Sequence, residues 1–455
     1  MRLAFFSPLP PLKSGIADYS AELLLALQKF AFVDIDVYVD GYPVEDKRLS
    51  QLFPIHQIED YWKNREKYGY DMCIYQIGNN QVYHESIYKI SLVEPGLVVL
   101  HDTSIHNMMA GILYGRGRKE EYIAEMQYNH GSEGEIAART FIANGGVPPW
   151  EKDVLRFPMI KRLVDNSKGI IVHSLFARSY VKRQRRDVPV KVINLFSDVI
   201  GDGEGKVREE ARQRLGILPE TLILASFGYI NSNRRIDEVL KALHILRKIS
   251  SVPFLYYLVG EINNPSYKVK ELISNLGLEE LVTMTGYVDM PQYMDIMKAA
   301  DICLNLRYPY YGESSANLHR MLGLGKVVVV SDVGAFQEYP EDTLVKIKVG
   351  NEVDELIHVF RRIIKDNTWK NKLSENALAF AHNFCTKERA TGEYISFIQQ
   401  LDHGLGQIEN LIEDAAETFL CEGTAENDEI RIRALALHII EVAGWTALRE
   451  DDVIL

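Results

Sequence analysis

Cysteine is scarce in this chain of 455 residues: there are four, Cys73, Cys303, Cys385 and Cys421, and no two form a CxxC pair. That spacing excludes a disulfide-stapled scaffold and a structural zinc site, and it suits a reducing, cytoplasmic setting. Long apolar runs are missing too, since no stretch approaches the roughly 20 residues that cross a bilayer. The opening MRLAFFSPLPPLKSG is cut by Pro8, Pro10 and Pro11 before a signal-peptide core forms, so it reads as a strand and a loop. Neither a GxGxxG nor a GxxxxGKS/T phosphate fingerprint occurs anywhere. Basic excess is absent as well: the net charge is −12, which excludes the electrostatic footprint of a nucleic-acid binder. That acidity is uneven. From His403 to Leu455 twelve Asp/Glu meet three Arg, a balance of −9, which leaves −3 for residues 1–402.

What the chain does have is a repeated rhythm. Short apolar runs at Leu3–Phe6, Val33–Val39, Met72–Ile77, Leu97–Leu100, Gly169–Val172 and Val190–Leu195 read as strands buried on both faces. A second set follows at Leu222–Phe227, Phe254–Val259, Leu281–Met284, Ile302–Leu306, Val327–Val330 and Leu344–Ile347. Amphipathic stretches such as Ile236–Lys248 and Tyr267–Leu276 lie between them. Strand–helix alternation twice over predicts an α/β chain of two doubly wound, Rossmann-like parallel-sheet domains, residues 1–200 and 215–384. The polar segment Ser197–Glu220 is the expected seam. Two such sheets facing each other make a cleft, with ligands held beyond the carboxyl ends of the strands.

Residues that directly follow strands are therefore the candidates. Gly15 ends a proline-stiffened turn before a helix with Asp18 in its first turn, where amides can approach an anion; a plain tight turn is the competing reading. His101 and Asp102 stand at the fourth strand's end with His106 a turn on, and Asp102 could orient His101 toward a sugar hydroxyl. His173 closes the next strand, and Ser174 is a plausible N-cap. In the second half, FGYINSNRR places Gly228, then Asn231–Asn233, then Arg234 and Arg235 ahead of a helix. Two guanidiniums at a helix N-terminus oppose its dipole, an oddity that a bound diphosphate removes and a local pairing with Asp237 or Glu238 could also explain. The densest polar cluster is LNLRYPYYGESSANLHRMLGLGK, with Glu313, Ser314 and Ser315 opening a helix Ser315–Leu322 that Gly323 and Gly325 close. Asp34 and Asp36 have Asp-x-Asp spacing but sit on one face of a strand, so no metal site is expected.

Taken together, these segments resemble glycosyltransferase family 4, the group 1 glycosyltransferases of the GT-B fold. The resemblance runs from Met1 to about Leu401 through FFSPLPPLKSGIADYSAELL, LHD, FGYINSNRR, TGYVDMPQYMDIMKAADICLNLRYP, GESSANLHRMLGLG, SDVGAFQEYP and a closing helix FCTKERATGEYISFIQQL. It implies retaining transfer from a nucleoside diphosphate sugar, a UDP- or GDP-sugar, without a metal or other cofactor. Gly15 would face the donor phosphates and His101 the transferred sugar. Arg234 would take the phosphate-binding position, with Tyr229 at the family's other basic position. Glu313 would hold sugar hydroxyls, the backbone at Ser314–Asn317 would cap the distal phosphate, and Glu261 would lie near the nucleotide. The resemblance further implies that residues 385–402 return to the first domain. One departure stands out: the family's two glutamates, eight positions apart, are not both present, for Met321 lies eight after Glu313 and Arg320 falls at the ribose-binding position.

That departure motivates an alternative, a catalytically inactive nucleotide-sugar-binding relative; a sugar-nucleotide epimerase and a phosphorylase are further options. Arg178, Lys182, Arg183, Arg185 and Arg186 form a basic cluster, read as a solvated helix face, as a peripheral membrane contact with anionic lipid, or as a contact with a phosphorylated acceptor. The stretch Gly111–Pro158 is expected to supply acceptor-reading loops. Residues 403–455 read as an acidic helical extension, with Ile408–Leu420 and Ile430–Val442 periodic enough to pack on the domains or form a homodimer.

Overall fold

In the computed structural model the described residues are 1–402, apart from 32, 153, 202–204 and 263. The acidic extension and its dimer contact lie outside them. The chain divides into two compact units, Met1–Ile193 together with the chain from Thr391, and Asn194–Ala390.

The first unit is built on a seven-stranded, wholly parallel sheet: β1 Arg2–Phe6, β2 Asp34–Val39, β3 Ile55–Gln57, β4 Met72–Ile77, β5 Leu97–Leu100, β6 Gly169–Val172 and β7 Val190–Val192. Their order is β3-β2-β1-β4-β5-β6-β7. Leu3, Ala4, Phe5 and Phe6 are all fully buried, as a strand covered on both faces requires. The direction of winding reverses between β1 and β4, so this unit's ligand edge lies beyond their carboxyl ends. β3 was not visible as an apolar run: it is a three-residue edge strand, IHQ, half-buried throughout. Gly111–Pro158 differs from expectation too. Most of it is the helix Lys119–Asn144, interrupted at Gly131 (φ 62°, ψ −149°), with Tyr122, Ile123 and Met126 buried. From Thr391 the chain packs again with this unit: the Tyr394 hydroxyl lies 2.9 Å from that of Tyr19, and Leu401 covers Gly169.

The second unit carries a six-stranded parallel sheet: β8 Leu222–Phe227, β9 Phe254–Val259, β10 Val282–Gly286, β11 Ile302–Asn305, β12 Val327–Ser331 and β13 Val345–Ile347. The order β10-β9-β8-β11-β12-β13 puts the reversal between β8 and β11. The expected seam 197–220 holds the helix Lys206–Leu215, whose Arg212 is buried. Arg212 and Arg208 reach Asp301 at 2.6 and 2.7 Å, and Lys370 reaches it at 3.1 Å. The Ile223 amide donates to the same carboxylate. Burial pushes the Asp301 carboxyl up, but Lys370, Arg208 and Arg212 outweigh it and hold the group below the usual carboxylate range. Asp301→Asn would leave buried Arg212 without its counter-charge. We expect a loss of about 3–5 kcal/mol of stability, read from the urea midpoint of this unit.

Three cysteines, Cys73 in β4, Cys303 in β11 and Cys385, are buried free thiols. Among the described residues no helix is long and apolar enough to cross a membrane. The basic cluster is not one exposed face. Arg178 is buried, Lys182 donates to Arg186 O, Arg183 lies over Tyr180, and Arg185 binds Asp187 and the carbonyls of Val164 and Asp165.

Candidate functional site

In the first unit the loop after β1 ends at Ser14, whose hydroxyl accepts from Ile16 N and caps the helix Gly15–Phe30. A Cβ at Gly15 would meet nothing within 4 Å, so this helix N-terminus is open to a ligand. His101 follows β5 and His173 follows β6, and the structure brings them together. His173 Nδ1 donates to Ile193 O at 2.8 Å, and its Nε2 lies 3.2 Å from His101 Nδ1. His101 Nε2 lies 2.7 Å from Gln76 Oε1, an oxygen that accepts, and Tyr19 packs edge-on at 5.0 Å. Burial holds His101 far below the usual histidine range, with His173 adding to the effect. Asp102, which the sequence placed beside His101, has a structural contact of its own. Its Oδ2 accepts from Asn79 N at 2.8 Å and so fixes the loop after β4. Both nitrogens of His101 are thus engaged inside the unit, and a sugar hydroxyl would have to displace Gln76. Ser174 does cap the helix Leu175–Gln184, accepting from Ala177 N.

Also in this unit, Asp40, Gly41, Tyr42, Pro43, Gln57, Ile58 and Glu59 line an open cavity of about 380 Å³ at the ends of β2 and β3. Asp34 and Asp36 do not act as a pair, because the Asp36 carboxylate is bound to Arg2 at 2.8 Å.

The second unit gathers its candidates at the β8/β11 reversal. Gly228 (φ 97°) leaves β8, and Gly260 (φ 144°) leaves β9 against it: a Cβ on Gly260 would come within 2.2 Å of Gly228 O. Glycine is favoured at 228 by its left-handed backbone, and a Cβ there would also press on the movable Arg234 guanidinium. Arg234 Nη1 donates to Phe227 O at 3.2 Å, and among the described residues it has no carboxylate partner. Arg235 behaves differently. It adopts a left-handed backbone (φ 55°) as the N-cap of the helix Ile236–Ile249 and turns its guanidinium onto Glu352 at 2.7 Å and Glu238 at 3.6 Å. The sequence placed both arginines on the donor; the structure engages Arg235 with carboxylates and leaves Arg234 available. Tyr229 is half exposed, and Glu261 is exposed while its carbonyl accepts from Ile230 N.

The loop after β11 is tied to this turn by Tyr308 N donating to Asn233 O at 2.7 Å. It ends at Ser315, the N-cap of the helix Ala316–Gly323, whose hydroxyl accepts from Leu318 N and donates to Asn305 Oδ1. That hydroxyl is committed, whereas the first amides of the helix, at Ala316 and Asn317, have no intrahelical acceptor. Ser314 is half-buried beside them. Glu313 leans back over the loop, with Oε1 accepting from Arg307 Nε and Oε2 from Tyr311 N, both at 3.1 Å. Arg320 reaches only Asn317 Oδ1, at 3.4 Å, and has no carboxylate partner among the described residues. Arg307 went unnoticed in the sequence, because one arginine after an apolar run looks like an ordinary strand end. Among the described residues no group of three or more His, Cys, Asp or Glu side chains is arranged to hold a metal.

Residues 207–380 match the family model of glycosyl transferases group 1, so the second unit is a group 1 glycosyltransferase domain, and the chain as a whole has the GT-B fold. The fold is shared with sucrose-phosphate synthase of Thermosynechococcus elongatus, at 17% identity and a TM-score of 0.63 over 89% of this chain and 100% of that one. HepE of Anabaena, solved with UDP, is similar at 15% identity and a TM-score of 0.61 over 88% of this chain and 100% of that one. WaaG, a glycosyltransferase involved in lipopolysaccharide biosynthesis, gives 15% identity and a TM-score of 0.54 over 86% of this chain and 98% of that one. No curated protein sequence matches the chain.

Proposed function

We propose that the chain transfers a sugar from a nucleoside diphosphate sugar to an acceptor hydroxyl. The observation that carries this reading is Arg234, a guanidinium with no carboxylate partner at the sheet reversal of a group 1 glycosyltransferase domain. The donor is a UDP- or GDP-sugar, a choice supported by the UDP that similar folds carry. Its diphosphate meets Arg234 and the amides opening the helix Ala316–Gly323, and its sugar hydroxyls meet Glu313. These fixed charges and dipoles stabilise the leaving group where other enzymes use a metal. Transfer runs with retention: the bond from the sugar's anomeric carbon to the phosphate oxygen breaks, the acceptor oxygen bonds on the same face, and the departing phosphate takes the acceptor's proton. In the first unit the open helix end beginning with Gly15 is the proposed contact for the donor phosphates, and His101 the proposed contact for the transferred sugar.

The test is thermal stability against UDP, GDP, ADP, dTDP and CMP in the presence of a chelator. A ligand at about 100 times its Kd adds roughly 2.7 kcal/mol to the domain that binds it, and each kcal/mol is worth about 2–4 °C. A shift of several degrees with one diphosphate, followed by release of that diphosphate from its sugar ester on adding acceptors, is expected. No shift with any of them overturns the reading. A second reading, a binding protein without turnover, draws on Arg320 at the ribose position and on the engaged nitrogens of His101. Tight binding with no release of diphosphate would establish it instead.

A further inference from the structure

The geometry points to Arg307 as the residue that aims Glu313 at the donor sugar. This inference rests on the glycosyltransferase reading of the same site. The Arg307 side chain is 4% exposed and that of Glu313 is 24% exposed, so the pair spans the loop from its floor to its open side. Arg307 is itself held fast: its backbone N donates to Ser331 Oγ at 2.9 Å, and its Nη1 donates to Leu306 O at 2.7 Å. Its Nε then fixes Glu313 Oε1 while Tyr311 N fixes Oε2. The Tyr310 hydroxyl donates to the Glu313 carbonyl at 3.1 Å, which pins the same residue from its backbone.

A carboxylate has about four lone-pair positions. Two are filled from inside the loop, and with the side chain 24% exposed the two that remain are left for a pair of neighbouring sugar hydroxyls. Stability does not account for such a pair, since a buried ion pair commonly breaks even against apolar groups of similar volume. Aim does. An ionised, immobile carboxylate accepts from hydroxyls without reorganising, which is what a group reading a sugar requires. The positive charge of Arg307 is taken up by Glu313, so the diphosphate is left to Arg234 and the helix N-terminus. Arg307 therefore governs affinity for the sugar and not for the nucleotide.

The experiment compares binding of UDP with that of UDP-glucose, UDP-galactose and UDP-N-acetylglucosamine by calorimetry, or of GDP with GDP-mannose if guanine is the base selected. In the wild-type chain at least one sugar should tighten binding over the bare diphosphate. Arg307→Met should leave the diphosphate Kd within about threefold and weaken the sugar ester about tenfold or more, the scale of losing a charge-assisted contact. Arg307→Met/Glu313→Gln removes both charges, guards against misfolding of the single variant, and should be no worse than Glu313→Gln alone. Equal weakening of diphosphate and sugar ester, no weakening of either, additive losses in the double variant, or no sugar contribution in the wild type would each overturn the assignment. A wild-type chain that binds no nucleoside diphosphate at all is a different failure, that of the glycosyltransferase reading, and it appears before any variant is made.

Discussion

Arg234→Ala is expected to fold normally and to turn over roughly 10²–10³ times more slowly at saturating donor, the usual result of removing one charged contact from a developing anion. The argument is an asymmetry between neighbours. Arg234 makes one hydrogen bond, to the Phe227 carbonyl, and no ion pair among the described residues, so the folded state loses little when it goes. Arg235, next in the chain, holds the buried carboxylate of Glu352. Arg235→Ala strands that charge and should cost about 3 kcal/mol of stability. The two variants should therefore separate cleanly: the first loses kcat with a melting temperature within about 2 °C of wild type, the second loses melting temperature first. Near-normal turnover in Arg234→Ala would remove the proposed leaving-group contact, and with it the mechanism.

The second large effect is acid lability confined to one unit. Burial lowers His84 to about 4 and His106 to about 3, and it lowers His101 further below the ordinary value. Burial also lowers His130 to about 4. All four belong to the first unit, whereas in the second unit His319 alone, at about 4, is comparably shifted among the described residues. A histidine depressed below its unfolded value of about 6.5 takes up a proton only on unfolding, so its stabilisation is complete above that value and is lost as pH falls toward 4. At pH 5.5 each such group has given up about 1.4 kcal/mol, so the four of the first unit lose about 5.6 kcal/mol and the one of the second about 1.4 kcal/mol. Against a typical domain stability of 5–15 kcal/mol that difference is decisive. Asp301, held low, works in the same direction only at more acid pH. Hydrogen exchange followed by mass spectrometry at pH 7.5 and 5.5 should show β4, β5 and β6 losing protection while β8, β11 and β12 keep theirs. Equal losses in both units would refute this.

The strands were legible because parallel sheets buried on both faces leave continuous apolar runs, and Val327–Val330 could hardly be anything else. β3 was not, since an edge strand written IHQ carries no such run. The helix Lys119–Asn144 was taken for loops because Gly131 and Gly134 break its pattern, although Tyr122, Ile123 and Met126 do bury one side. At the site the sequence assigned both arginines before Ile236 to an anion, but only three dimensions separate them, as Glu352 lies 117 positions from Arg235. The same limit hid the partners of His101, for Gln76 lies 25 residues before it and His173 lies 72 after. Arg307 is six residues from Glu313, close in sequence, yet it acquires its role only when the loop after β11 folds back on itself.

The buried thiols give each unit its own reporter. Cys73 sits in β4 of the first unit, while Cys303 and Cys385 belong to the second, and burial pushes all three thiols up, the latter two to about 12. A closed unit therefore presents neither access nor thiolate to an alkylating reagent. Each labelling event at Cys73 or Cys303 counts one opening of the sheet that contains it, so a single native chain, with no probe engineered in, can time the breathing of its two halves separately and show which one a bound donor quiets.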